Sequence, residues 1–223
     1  MCMRALFIDL DGTLTDILER EVEAIYDTAI HFGLKPSKAD IKRLCIEKAS
    51  YSDVIRELGL DLTDELVDYW SSAFVKRYQL TILREGTKST LEKLSLEYTL
   101  FCVTSRESIA EVITELDFLG LEGLFNRIVT REVAAKHFGL SALPFLPFHE
   151  QRKKLYECAL ALANCGPEDA IVVGDMASEM KPAKELGILT VGLLTEKAKE
   201  SGLSKVADYL IPNIRHLPSV LHE

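Results

Sequence analysis

The chain has 223 residues, 48% of them hydrophobic and 27% charged, with 12 Gly and 7 Pro, which fits a globular protein of one large domain, or one domain with an insertion, and excludes a disordered, collagenous or low-complexity chain. Its 26 basic and 35 acidic residues give a formal charge of −9, which opposes a nucleic-acid backbone, so no nucleic-acid partner is expected. Apolar runs such as residues 5–8 and 170–173 are strand-sized, and none approaches the roughly 20 residues a membrane span needs.

Arg4–Leu10 is a short apolar run closed by Asp-Gly and predicts a buried strand. Leu18, Val22, Ile25, Ala29 and Phe32 then recur at helical spacing up to Gly33, a C-cap residue. Ser37 and Asp40 open a second helix through Ile41, Leu44 and Cys45, and a shorter helix runs over 52–58. Thr63 caps a fourth, with Leu66, Tyr69, Trp70, Ala73 and Phe74 on one face. No strand is predicted from residue 17 to about 82. After Gly86 a helix over 87–96 leads into strands at 99–104, 127–130, 170–174, 189–193 and 209–211, with helices at 108–119, 150–164 and 178–186 and a last one near Leu217.

Strands alternating with helices imply right-handed crossovers and a parallel sheet covered on both faces. The expected fold class is α/β: a Rossmann-like parallel sheet made of residues 1–16 and 85–223, with a smaller all-helical domain, residues 17–84, inserted after the first strand. Residues 138–148, FGLSALPFLPF, are broken by Pro144 and Pro147 and read as a loop packed on the core or the insertion. Cys2, Cys45, Cys102, Cys158 and Cys165 contain no C-x-x-C pair and read as buried free thiols. His31, His137, His149, His216 and His222 show no ligand spacing. Asp9 and Asp11 interrupt the N-terminal apolar run too early for a signal peptide, so a cytoplasmic protein is expected.

The most informative stretch is Phe7-Ile8-Asp9-Leu10-Asp11-Gly12-Thr13. In a parallel sheet the C-terminal strand ends form the ligand crevice, and here one strand delivers two carboxylates to it. Acids so close repel one another unless a cation lies between them, and a hard divalent ion, Mg²⁺, suits oxygen ligands and attracts a phosphate. A second strand ends in the hydroxyls Thr104 and Ser105, then Arg106, ahead of a helix N-terminus that can receive an anion. A third ends in Gly174-Asp175, with Glu179 four residues on. Arg152, Lys153 and Lys154 open the helix before that strand.

With these residues in this order, the chain resembles the haloacid dehalogenase (HAD) superfamily hydrolases with a helical cap inserted after the first motif. Asp9-Leu10-Asp11-Gly12-Thr13-Leu14 is similar to motif I, Thr104 to the motif II hydroxyl, and Gly174-Asp175 with Glu179 to motif IV. Glu85-Gly86-Thr87 with Leu91, Leu186-Gly187-Ile188 and Asp208-Tyr209-Leu210-Ile211 echo its phosphoglycolate phosphatase-like branch. The resemblance implies a Mg²⁺-dependent phosphatase acting on a small phosphorylated metabolite. Asp9 would be the nucleophile that forms an aspartyl-phosphate, and Asp11 the general acid and base. Thr104 would bond a phosphoryl oxygen, Ser105 and Arg106 would contact substrate, and Asp9, Asp11 and Asp175 would hold the metal with Glu179 behind them.

Asp11 argues against a dehalogenase, which expels halide and needs no proton donor there; a phosphomutase keeps that acid and stays an alternative. A receiver-like binding module would be about half as long and lack the insertion, and a non-catalytic scaffold of the same fold would be expected to have lost Asp9 or Asp11. The chain departs from the family at motif III, where Lys-Pro-x-Pro is missing and Glu150 stands in register. Helical spacing with Leu155, Ala159 and Leu162 toward the core makes Lys153 the expected motif III cation, with Lys154 and then Lys136 as alternatives. Tyr51, Tyr69, Trp70 and Tyr78 are expected to serve as core of the insertion more than as pocket lining.

Overall fold

A computed structural model describes residues 4–48, 50–141, 143, 147–196 and 202–221 of the chain. In chain order the first elements are β1 (Ala5–Ile8), β2 (Thr15–Asp16), α1 (Leu18–His31), α2 (Lys38–Glu47), α3 (Tyr51–Glu57), α4 (Asp64–Val75) and β3 (Ile82–Leu83). There follow α5 (Thr87–Leu94), β4 (Thr99–Val103), α6 (Ile109–Phe118), β5 (Arg127–Val129), α7 (Arg131–His137) and α8 (Phe148–Ala163). The last are β6 (Ala170–Gly174), α9 (Ala177–Glu185), β7 (Leu189–Leu193), β8 (Tyr209–Ile211) and α10 (Leu217–Leu221). The chain divides into two compact units, Met1–Leu14 with Leu83–Glu223, and Thr15–Ile82.

In the first unit six strands form a wholly parallel sheet in the order β5-β4-β1-β6-β7-β8, the Rossmann-like α/β arrangement that the alternation of elements predicts. Side chains of a strand alternate between faces, and both faces are apolar here. Leu6, Ile8, Leu100, Cys102, Ile171, Val173 and Val191 pack on one side with Leu91, Val112 and Leu116. Ala5, Phe7, Phe101, Val103 and Val172 pack on the other with Leu155, Tyr156, Ala159 and Met180. Each large apolar side chain removed from water contributes roughly 1.5–3 kcal/mol, so burial on both sides anchors β1 in the middle of the sheet.

The second unit is helical. Val22, Ile25, Ile41, Leu44, Cys45, Val54, Ile55 and Leu66 form its core. The side chains of Ser37, Ser50 and Thr63 accept from the backbone N–H three residues on, capping α2, α3 and α4. Arg20 is fully buried and satisfied: Nε donates to the Phe74 carbonyl at 2.7 Å, Nη1 to Thr81 Oγ1 at 3.1 Å, and the guanidinium lies 3.8 Å from the Phe74 ring centroid. Tyr51 stacks on Trp70 at 3.8 Å, and both pack against the helical core.

Three local features depart from the sequence expectations. β2 and β3 pair with each other, and two residues apiece are too few to show a period. The division between units accordingly falls at Leu14/Thr15 and Ile82/Leu83, two residues before the expected positions. The unpredicted helix α7 is capped by Thr130, whose Oγ1 accepts from Val133 N at 3.4 Å, and it buries only Ala134 and Ala135, so no apolar stripe announces it. Leu143 of the expected 138–148 loop is buried beside Phe7 and Val103; residues 142 and 144–146, like Cys2 and His222, lie outside the described residues. No helix among the described residues is long and apolar enough to cross a membrane.

Cys45, Cys102 and Cys158 are buried free thiols. Burial pushes the Cys158 thiol up to about 11 and raises Cys102 further. Because the thiolate is the reactive species, these three cysteines are expected to resist iodoacetamide at pH 7.5 in the native protein and to be alkylated after denaturation. Peptide mass spectrometry with light and heavy label checks this; rapid native labelling of Cys102 would contradict the packing.

Candidate active site

The position of β1 between β4 and β6 decides what meets at the C-terminal edge of the sheet. In register, Ile8 lies beside Cys102 on one side and Val173 on the other. Asp9 N donates to the Val173 carbonyl at 2.9 Å, which continues the ladder one residue past the strand. Residues following three adjacent strands, Asp9 to Thr13, Thr104 to Arg106, and Asp175, therefore emerge side by side.

Carboxylate oxygens of Asp9, Asp175 and Glu179 lie within 4.8 Å of one another, and all three residues are buried. Gly12 permits this approach: its backbone has φ +88°, and a Cβ there would stand 2.7 Å from Asp175 Oδ2. A Cβ at Gly174 would likewise collide with the Glu179 carboxylate. Asp175 accepts from two hydroxyls, Thr13 Oγ1 to Oδ1 at 3.3 Å and Thr195 Oγ1 to Oδ2 at 3.0 Å. Such a set of hard oxygens fits a divalent cation of the Mg²⁺ type.

A positive charge beside this trio is Arg152, 1% exposed on the first turns of α8. Its Nη2 donates to Asp9 Oδ1 at 2.7 Å and also to Glu179 Oε1. Its Nε and Nη1 are buried with no hydrogen-bond partner among the described residues. Burial raises the carboxyl of Asp9 above the ordinary range despite the opposing pull of Arg152, and raises that of Glu179 further. Burial works against the charge on Arg152, but Glu179, Tyr156 and Asp9 outweigh it and hold the guanidinium charged.

The structure does not bring Lys153 to this cluster. Its Nζ lies 3.5 Å from Glu185 with the side chain 31% exposed, while Lys154 pairs with Glu157 at 2.6 Å and Lys136 is exposed. The difference lies in the helix face: Arg152, Leu155, Tyr156 and Ala159 make the buried i, i+3, i+4, i+7 stripe, whereas Leu162, expected in the core, is 39% exposed. An arginine inside that stripe was the available signal.

Asp11, expected among the metal ligands, is not part of the trio. Its carboxylate accepts from Arg106 Nε at 2.7 Å and from Arg106 Nη2, and Arg106 also donates to Glu115 on α6. Arg106, expected to contact substrate, is thus engaged by two carboxylates. Thr104 is 1% exposed, with its Oγ1 accepting from Arg106 N at 3.3 Å, and Ser105 Oγ is buried with no partner among the described residues. Sequence reasoning missed Glu115, although a glutamate between Val112 and Leu116 on a buried helix face calls for a partner. For Thr195 the sequence carries no comparable signal.

A family model described as haloacid dehalogenase-like hydrolase matches residues 6–193. A glyceraldehyde 3-phosphate phosphatase of Methanocaldococcus jannaschii is 25% identical over 239 aligned residues, which cover 98% of this chain and 97% of that protein. A phosphoglycolate phosphatase of Pseudomonas putida is 22% identical over 85% of this chain and 69% of its own. Among solved structures, a haloacid dehalogenase-like family hydrolase from Streptococcus pneumoniae superposes with a TM-score of 0.78 at 22% identity, covering 99% of both chains. A β-phosphoglucomutase from Clostridium difficile gives 0.71 at 16% identity, covering 99% of this chain and 96% of that one. At such identities the structural likeness shows the fold.

The acidic trio generates a stability prediction. Asp9 and Glu179 hold their protons more tightly folded than unfolded. Their contribution in metal-free protein is therefore present below the ordinary carboxylate range and is lost as pH rises through the raised folded values. Asp9→Asn removes one buried charge while leaving an oxygen for Arg152. It is expected to raise the metal-free Tm at pH 7.5 by about 2–4 °C, roughly 1 kcal/mol, and to shrink the rise in Tm caused by added MgCl₂. Calorimetry with and without chelator checks this; a lower Tm for Asp9→Asn would contradict it.

Proposed function

The chain belongs to the haloacid dehalogenase-like hydrolase family, and on that premise we propose that it is a Mg²⁺-dependent phosphatase hydrolysing a small phosphorylated metabolite through an aspartyl-phosphate on Asp9. The observation that carries the reading is the buried guanidinium of Arg152, bonded to Asp9 through Nη2, with Nε and Nη1 lacking a hydrogen-bond partner among the described residues. A carboxylate is a usable nucleophile toward a phosphoryl group only when the repulsion between them is offset. Arg152 offsets it from one side, and its planar fork suits phosphoryl oxygens. It takes the part expected of Lys153.

Asp9 Oδ attacks phosphorus as the bond to the leaving oxygen breaks, and Asp11, which must enter this step protonated, gives that oxygen its proton. Asp11 then takes a proton from the water that attacks the same phosphorus, which frees Asp9 and releases phosphate. The hydroxyls of Thr104 and Ser105 donate to the phosphoryl oxygens. Asp9 and Asp175, with Glu179 beside them, would hold the divalent ion, which when bound supplies Lewis-acid stabilisation of the developing charge. The names of the curated relatives suggest an ester the size of phosphoglycolate or glyceraldehyde 3-phosphate. The helical unit Thr15–Ile82 is read as the family's inserted cap, and the expected setting is cytoplasmic.

The test is a phosphatase screen over such metabolites and 4-nitrophenyl phosphate. Turnover is expected with Mg²⁺, with none in excess chelator and none in Asp9→Asn. Arg152→Ala breaks a buried charge pair and is expected to lower kcat/KM by about 10²–10⁴-fold, on the order of 3–5 kcal/mol. Lys153→Ala, Lys154→Ala and Lys136→Ala are expected to stay within about threefold of the parent. Activity in chelator would remove the metal from the reading, and a near-normal Arg152→Ala enzyme would remove the arginine.

A further inference from the structure

Glu115 has no part in the reaction proposed above, yet it is 1% exposed on α6, inside the apolar stripe formed with Val112 and Leu116. Burying an ionised carboxylate is costly unless it is paired and hydrogen-bonded. Its partner is Arg106: Nη1 donates to Glu115 Oε2, and Nη2 donates to Glu115 Oε1 at 3.0 Å. The same guanidinium grips Asp11, with Nε donating to Oδ2 at 2.7 Å and Nη2 to Oδ1. Arg106 is 10% exposed and Asp11 22%, so the chain Glu115–Arg106–Asp11 runs from the core to the edge of the crevice.

We propose that Arg106, anchored by Glu115, is the positioning residue for Asp11. The inference rests on the phosphatase reading and adds to it a group that touches neither the phosphoryl group nor the metal. Asp11 lies three residues past β1 in a one-residue bridge, which places its backbone but not its side-chain angles. A bidentate arginine fixes both oxygens of a carboxylate at once, and an arginine itself held at a second edge by a buried glutamate cannot swing away. Proton transfer needs the donor within hydrogen-bond reach of the leaving oxygen, and a misplacement of about 1 Å costs on the order of a hundredfold. Arg106 N also donates to Thr104 Oγ1 at 3.3 Å, so one short turn locates both the hydroxyl that meets the phosphoryl group and the arginine that holds the acid. With four hydrogen bonds to two carboxylates, Arg106 is committed to the protein and not to the substrate.

The experiment measures kcat/KM with Mg²⁺ for aryl phosphates graded in leaving-group basicity, from 4-nitrophenyl to phenyl phosphate. It compares the full chain with Arg106→Gln, Glu115→Gln, Asp11→Asn and the double variant Asp11→Asn/Arg106→Gln. Loss of positioning falls on esters whose leaving oxygen needs a proton. Arg106→Gln is therefore expected to lower phenyl phosphate turnover about tenfold more than 4-nitrophenyl phosphate turnover, and Glu115→Gln about threefold more. In the Asp11→Asn background Arg106→Gln is expected to add nothing to the leaving-group dependence, because it acts through Asp11. An equal loss on every ester, a weaker dependence on the leaving group, or a further steepening without Asp11 overturns the proposal. If circular dichroism shows Arg106→Gln unfolded, Glu115→Gln, which keeps the Asp11–Arg106 pair, is judged by the same ratio. A parent protein inert toward the whole series overturns the phosphatase reading and this proposal with it, whereas an active parent with unaltered leaving-group dependence in the variants overturns the proposal alone.

Discussion

The hydrogen bonding of β1 to a parallel neighbour on each side is the constraint from which the rest of the site follows. In a parallel sheet every C-terminal strand end lies along one edge, and a strand paired on both sides cannot turn its last residues to solvent. Asp9 is tied at its N–H to Val173, between the residues that follow β4 and β6. Burial of Leu6, Phe7 and Ile8 keeps the strand there. The carboxylates at this edge therefore cannot relieve their repulsion by moving apart into water; the apolar core supplies the free energy that holds them together, and positive charge must come to them.

That charge is divided unequally. Arg152 touches Asp9 and Glu179, and Arg106 touches Asp11 and Glu115, while Asp175 is held by the hydroxyls of Thr13 and Thr195. The second set is matched to its arginine through four hydrogen bonds and is self-sufficient within the protein. In the first, three buried carboxylates lie within 4.8 Å of one another, and Arg152 bonds two of them. Burial raises Asp9 and Glu179, and the charge of a divalent cation would offset that rise. The raised carboxyls thus sit where the proposed reaction needs a metal.

The fold was legible in the sequence because its strands are buried on both sides and read as unbroken apolar runs, such as Leu100–Val103 and Ile171–Val173, separated by helical periods. Where burial is slight the pattern fails: α7 hides two alanines, and β2 and β3 are two residues each. Asp9, Asp11, Asp175 and Thr104 were legible because each closes such a run. Arg152 was not, because a charge at a helix start is usually solvated, and its neighbours Lys153 and Lys154 are half-buried with surface glutamate partners. Arg152 and Glu115 share a signature that single motifs do not carry, a charge at the i or i+3 position of an otherwise apolar stripe.

The two arginines also show why charge alone does not assign a role. Both are shielded from water and both contact two carboxylates, so a count of ion pairs would treat them alike. They differ in what is left over. Arg106 spends its Nε on Asp11 and both terminal nitrogens on Asp11 and Glu115. Arg152 satisfies both of its acids through Nη2 alone, leaving Nε and Nη1 buried without a hydrogen-bond partner among the described residues. A buried unsatisfied donor costs about 1–3 kcal/mol, and an anion that accepts from it recovers that cost on binding. On the proposed reading the phosphoryl group is that anion, so substrate contact falls to the arginine with unsatisfied donors and positioning to the one without them, the reverse of what their places in the sequence motifs suggest.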